Sequence, residues 1–201
     1  MAKKRIHKNS REKKEAPSRR AKRSFNVLFK EYYPIARFIL TTIVSLVLFF
    51  WLLRVKYFED QFVAPYTEFV AASSRFFLRL LGIQATGSGS LIASPEFTVN
   101  IMYVCNGLEV TAIFFATTLG FPARWRNKLI GLAIGYPVIY LINIFRIVVL
   151  FILGFKMPGI FETAHYYYAQ AFVIIATVGV WLIWVSLYSA YGSKSSHRIS
   201  N

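Results

Sequence analysis

One thiol, one guanidinium and one imidazole, each set in apolar sequence, are the groups in this chain able to do covalent chemistry together. Cys105 is the sole cysteine and stands in the run Tyr103-Val104-Cys105-Asn106-Gly107-Leu108-Glu109. A lone thiol has no partner for an intramolecular disulfide, so Cys105 is either a small buried hydrophobe or a reactive group. Arg146 interrupts a long apolar run, and His165 precedes Tyr166, Tyr167 and Tyr168. A thiolate is a nucleophile and is favoured by a nearby cation. A neutral imidazole deprotonates a thiol and returns the proton to a leaving amine. A guanidinium offers fixed donors to a developing oxyanion or a carboxylate. The three types together suit acyl transfer on a peptide bond through a thioester.

Four neighbours fit supporting roles. Asn106 and Gly107 would let a substrate backbone approach closely. Glu109, one helical turn after Cys105, is spaced to orient Arg146. Asn143, one turn before Arg146, is suited to a hydrogen bond across helices. Plainer readings stand beside these: Arg146 paired with Glu109 only to hold helices together, and His165 with its tyrosines as part of an aromatic belt at a membrane surface. His7 and His197 lie in polar tails and are not candidates. The chain carries no P-loop, no Gly-rich dinucleotide fingerprint and no Cys/His metal spacing, so neither a cofactor nor a metal is expected.

What must position these residues is set by composition. Of 201 residues, 56% are hydrophobic and only 16% charged, too apolar for a soluble domain, which is typically about 45–50% apolar and about 25% charged. Several apolar runs approach the roughly 20 residues that cross a bilayer. The expected fold is therefore an all-α integral membrane protein with about four transmembrane helices. The first runs from Ile35 to Leu53, just after Pro34. The second covers Tyr103 to Phe121, the third Leu129 to Phe155 with a bend near Pro137, and the fourth Tyr166 to Leu187. Lys156-Met157-Pro158-Gly159 reads as a tight loop between the last two. From Tyr66 to Leu81 apolar residues recur at helical spacing (Tyr66, Phe69, Val70, Phe76, Phe77, Leu80, Leu81), with Glu68, Arg75 and Arg79 between them. This predicts an amphipathic helix in the outer interface, its arginines toward water or headgroups. A fifth span here is the alternative. Residues 85–90 form a turn-rich loop, and Pro95 to Met102 alternates loosely, as a short extended segment or a simple connector.

Charge fixes the orientation. The net charge is +15, concentrated before Lys30 in runs such as Arg19-Arg20-Ala21-Lys22-Arg23. Residues 1–33 read as a disordered basic cytoplasmic tail, 34–192 as the transmembrane domain and 193–201 as a polar cytoplasmic tail. The tail is too long and too polar to be the n-region of a cleaved signal. No aromatic-interleaved recognition module accompanies it, so attraction to anionic membrane lipids, not nucleic-acid binding, is the expected role. Arg124, Arg126 and Lys128 mark a second cytoplasmic loop by the positive-inside rule. Four spans with both termini inside then bring Cys105, Arg146 and His165 to the outer side of the membrane. Arg146 lies about 13 Å below the outer end of its span, at 1.5 Å per residue.

Cys105-Asn106-Gly107-Leu108, followed by Asn143-Ile144-Phe145-Arg146 and Ala164-His165, resembles the exosortase/archaeosortase family of membrane transpeptidases, over about Leu80 to Leu187. With fewer spans than the larger members, the chain is similar to the compact branch of the exosortase H type. The resemblance implies Cys105 as nucleophile, Arg146 as transition-state stabiliser and His165 as general acid and base. It also implies a bacterial inner-membrane cysteine protease that faces the periplasm. Its expected partners are exported proteins bearing a C-terminal sorting signal: a short motif, a transmembrane helix and a basic tail. Read from the residues alone, a non-catalytic membrane scaffold and a thiol-dependent acyltransferase working on a lipid thioester stay open.

Overall fold

The computed structural model describes residues 17–196, with side chains from 32 to 187. Residues 1–16 of the basic tail and 197–201 of the polar tail lie outside the described residues. The chain is an all-α integral membrane protein. Three stretches are long and apolar enough to cross a bilayer: Tyr32–Leu53, Trp125–Lys156 and Pro158–Leu187. The first belongs to α1 (Pro17–Leu53), which contains Pro34 instead of starting after it. Part of the segment read as tail, from Pro17 onward, thus continues this helix. A short turn α2 (Lys56–Phe58) then passes through one π-helical turn, Glu59–Val63, into α3 (Ala64–Leu80). A hairpin of β1 (Leu91–Ala93) and β2 (Thr98–Asn100) follows, then α4 (Leu108–Gly120), α5 (Trp125–Lys156), α6 (Pro158–Thr163) and α7 (Ala169–Ser196).

Where a fourth span was expected, α4 is a shorter apolar helix than these three. Its 13 residues span about 20 Å at 1.5 Å per residue. None of them is exposed, because α1, α5 and α7 pack around it. This explains both its all-round apolarity and its length: a helix sheathed by protein is apolar on every face. Gly120 permits a close crossing with α1, since a Cβ there would collide with Thr42 and press on the Phe38 carbonyl. At the same end the buried Lys128 donates to the Leu119 carbonyl and sits 5.0 Å from the Trp125 ring centroid. A cation there complements the C-terminal end of α4.

Two helix boundaries differ from the pattern in the sequence. Lys156–Gly159 is not a loop: only Met157 leaves the helical region (φ −141°, ψ 65°), and Pro158 opens α6 at the first helical position. There its missing N–H costs nothing. The last span therefore starts at Pro158 and not Tyr166, and His165 lies in a π-helical turn, Ala164–Tyr168, between α6 and α7. The second span likewise begins as helix only at Leu108, with Cys105 in a 3-10 turn, Tyr103–Cys105, ahead of it.

The amphipathic helix α3 faces inward differently from the expected stripe. Its buried residues are Thr67, Val70, Ala71, Ser74 and Leu78, whereas Phe69, Phe76, Leu80 and Leu81 are exposed. Small side chains let helices approach closely where lipid, not water, is the alternative surrounding. The Tyr140 hydroxyl donates to Ser73 Oγ at 2.7 Å, tying α5 to α3. Arg75 and Arg79 do more than face outward. Arg75 donates to the Leu91 and Gly89 carbonyls at 2.6 and 3.1 Å, and Arg79 Nε to the Ala85 carbonyl at 2.7 Å. They fasten the segment 85–91 to α3.

Candidate active site

The turn that carries Cys105 is built by its neighbours. Asn106 is completely buried. Its Oδ1 accepts from the Leu108 N–H at 2.9 Å, and its Nδ2 donates to Thr67 Oγ1 at 2.8 Å. Thr67 in turn donates to the Val63 carbonyl at 2.7 Å. Gly107 follows at φ 85°, as the N-cap of α4, in the left-handed region that side chains rarely adopt. A Cβ there would also lie 2.8 Å from Asn143 Cγ. Asn143 Nδ2 donates to the Cys105 carbonyl at 3.4 Å, the inter-helix bond its position suggested. The expectation that Asn106 and Gly107 open the backbone to substrate is corrected here. Both face protein, and they shape and hold the Cys105 turn.

Two further elements converge on the sulfur. Arg146, from α5, brings Nη2 to 3.8 Å from Cys105 Sγ. His165, from the π-helical turn, brings Nε2 to 3.5 Å. Cys105 and Arg146 are 7% and 5% exposed, so the contact is shielded from bulk solvent. A guanidinium at this distance stabilises the thiolate once it forms. Its donor capacity is not consumed by the protein, since Arg146 Nε has no hydrogen-bond partner among the described residues. His165 is gripped by rings: Phe161 stacks on it at 5.7 Å with a 21° interplanar angle, and Tyr166 meets it edge-on at 5.2 Å. A π-helical turn at such a residue re-aims a side chain that a regular helix would carry elsewhere, a common feature of functional sites.

These groups line a cavity of about 190 Å³. The stretch Val99–Met102, Phe151, Phe161, Glu162 and Tyr166 form much of its remaining wall. Glu109 is not part of it. Among the described residues no ion pair joins Glu109 to Arg146; Glu109 lines a separate cavity with Arg54, Glu59 and Tyr103. Among the described residues no bond from Glu109 orients Arg146. Two features escaped the sequence. Thr67, the acceptor for Asn106, was hidden among the aromatic residues that dominate the α3 pattern. Glu162, one helical turn before His165, shares its face at i, i+3 spacing, and that spacing was the available signal.

No metal-binding cluster of His, Cys, Asp or Glu occurs among the described residues. No curated protein and no solved structure matches the chain. The family model for transmembrane exosortases matches residues 33–185, well over half of the sequence and including every residue of the cavity wall. This chain, a multi-pass membrane protein of transpeptidase type, belongs to the transmembrane exosortase family.

Proposed function

We propose that the protein is a cysteine-dependent peptidase and transpeptidase that works at the periplasmic face of a bacterial inner membrane. Its substrates are exported proteins ending in a short motif, a transmembrane helix and a basic tail. The observation that carries this reading is the meeting of Cys105 Sγ with His165 Nε2 at 3.5 Å and Arg146 Nη2 at 3.8 Å inside one cavity. His165 Nε2 takes the thiol proton as Cys105 Sγ bonds to the carbonyl carbon of the scissile peptide. The carbonyl oxygen gains the electron pair, and the Arg146 guanidinium stabilises that oxyanion. The oxyanion collapses, the C–N bond breaks, and His165 delivers its proton to the departing amine, leaving a thioester on Cys105. An acceptor nucleophile, or water, then gives up a proton to His165 and attacks the thioester. The C–S bond breaks and the proton returns to the thiolate.

The test is capture of the intermediate. A tagged substrate carrying such a C-terminal signal is co-expressed with the enzyme, and the Cys105 peptide is analysed by mass spectrometry after acid quench. The expected adduct is the N-terminal fragment of the substrate in a hydroxylamine-labile bond. Cys105→Ala should abolish both adduct and cleavage at unchanged protein level. Cleavage persisting in Cys105→Ala would leave Cys105 as packing, as a scaffold requires. A lipid acyl group on Cys105 would instead favour the acyltransferase reading.

A further inference from the structure

The hairpin beside the thiol has one edge used and one edge open. Along β1, the Ala93 N–H and C=O bond Thr86 at 2.9 and 2.8 Å, and the Leu91 carbonyl accepts from Arg75 at 2.6 Å. The outer edge of β1 is therefore occupied. Across the hairpin the pairing is antiparallel, with Ile92 opposite Val99. The Ser94 N–H donates to the Phe97 carbonyl and the Ile101 N–H to the Ser90 carbonyl, at 2.8 and 3.0 Å. Because hydrogen-bonded pairs alternate along an antiparallel ladder, residues 97, 99 and 101 face β1. The N–H and C=O groups of Thr98 and Asn100 point the other way, and no hydrogen bond reaches them among the described residues. Both residues are exposed. The Asn100 side chain does not cover its own backbone, since its Oδ1 accepts from Ser90 Oγ at 2.7 Å on the hairpin.

This open edge runs into the reaction cavity. Val99, Asn100, Ile101 and Met102 line the same space as Cys105, Arg146 and His165. The Met102 carbonyl then accepts from the Cys105 N–H at 2.9 Å, which couples the end of the strand rigidly to the nucleophile. We propose that the β2 edge is the substrate-binding template: the peptide segment to be cut pairs with Asn100 and Thr98 as an added strand, and its scissile carbonyl is thereby delivered to Cys105. Main-chain hydrogen bonds on a sheet edge supply affinity with little regard to side chains. They also hold the peptide extended, which exposes its carbonyl carbon to attack. An unpaired strand edge is otherwise a liability that proteins cover, and here one of two edges is covered and the other leads to a thiol. The inference rests on Cys105 being the nucleophile.

The probe is acetyl-Ala-Ala-Ala-Ala chloromethyl ketone, with chloroacetone as the same warhead lacking a peptide. Each alkylates a thiolate by forming a C–S bond with loss of chloride. The full chain in nanodiscs has a single cysteine, so intact-mass spectrometry reads its alkylation rate directly. The peptidyl reagent should react at least about tenfold faster than chloroacetone, as one or more new backbone hydrogen bonds would give. N-methylating the probe's amides one at a time should erase the gain at alternate positions only, since every second N–H of a strand faces its neighbour. Asn100→Pro removes one outward N–H, which an edge strand tolerates, and should erase the gain. Asn100→Ala, which retains the N–H, should keep it, the gain being taken in each protein as the ratio of its two alkylation rates. If Asn100→Pro does not fold, the N-methyl series on the parental chain decides alone. A peptidyl gain without two-residue periodicity, or no gain at all, overturns the template. A Cys105 inert to both reagents overturns the thiol reading, and the template with it.

Discussion

Arg146 holds the most demanding place in the chain. A guanidinium 5% exposed in a membrane helix is costly unless its donors are used. Nη2 reaches the Cys105 sulfur, and Nε has no partner among the described residues. A lysine at this position keeps the charge and loses the planar fork. Arg146→Lys is therefore expected to insert normally and to cut turnover by about 100- to 1,000-fold, the usual loss of one oxyanion donor. The measurement is cleavage of a co-expressed substrate, followed by immunoblot against equal enzyme. Parental turnover in Arg146→Lys would make Arg146 a packing residue. That Cys105, Arg146 and His165 would meet was legible in the sequence, because each is a polar type in apolar runs that the positive-inside rule brings to one side. Which neighbours orient them was not legible. Glu109 and Asn143 have equally good helical spacing, and only the structure shows that Asn143 hydrogen-bonds the Cys105 turn.

At the scale of elements, the Cys105 turn is held by α3, a helix that contributes none of the three converging groups. Thr67 both accepts from Asn106 Nδ2 and donates to the Val63 carbonyl. Thr67→Val keeps the shape of the side chain but strands a buried amide donor, at a cost of about 1–3 kcal/mol. The expected outcome is a lower thermal midpoint in detergent together with reduced substrate cleavage. Thr67→Ser, which keeps the hydroxyl, should restore both. A Thr67→Val protein with parental stability and turnover would show that the Asn106 turn stands without α3. This link was invisible in the sequence for a physical reason. Periodicity weighs large apolar residues, so Phe69 and Phe76 dominated the reading of α3. The face that packs is made of Thr67, Ala71 and Ser74, whose value is their small size. The hairpin was half visible: the loose alternation of Pro95 to Met102 contains β2, but β1 has only three residues, too few for alternation to register, and its docking depends on the distant Arg75.

Over the whole molecule, charge and chemistry occupy opposite ends. Phe38 of α1 meets Phe121 at 6.3 Å, and Phe49, further along α1, meets Phe115 at 6.4 Å, so α1 and α4 run antiparallel. The basic start of α1 thus lies at the same end as the loop before Arg124, Arg126 and Lys128. Trp184 of α7 joins them there, 5.6 Å from Phe121. Cys105 lies beyond the opposite end of α4, with the hairpin and His165. In the orientation proposed above, the positive-inside rule would hold the cationic end in the cytoplasm and the cavity would open on the other side. Because Cys105 is the sole thiol, a membrane-impermeant maleimide reads its side in the unmodified chain. Labelling is expected from outside intact spheroplasts. It should be slow, because the sulfur belongs to a residue only 7% exposed, lining a cavity of about 190 Å³. Opening the membrane should not raise the rate. A membrane-permeant maleimide supplies the matched control for the intrinsic reactivity of the thiol. Labelling by the impermeant reagent only after permeabilisation would reverse the orientation and put the cavity in the cytoplasm, where an exported substrate cannot reach it.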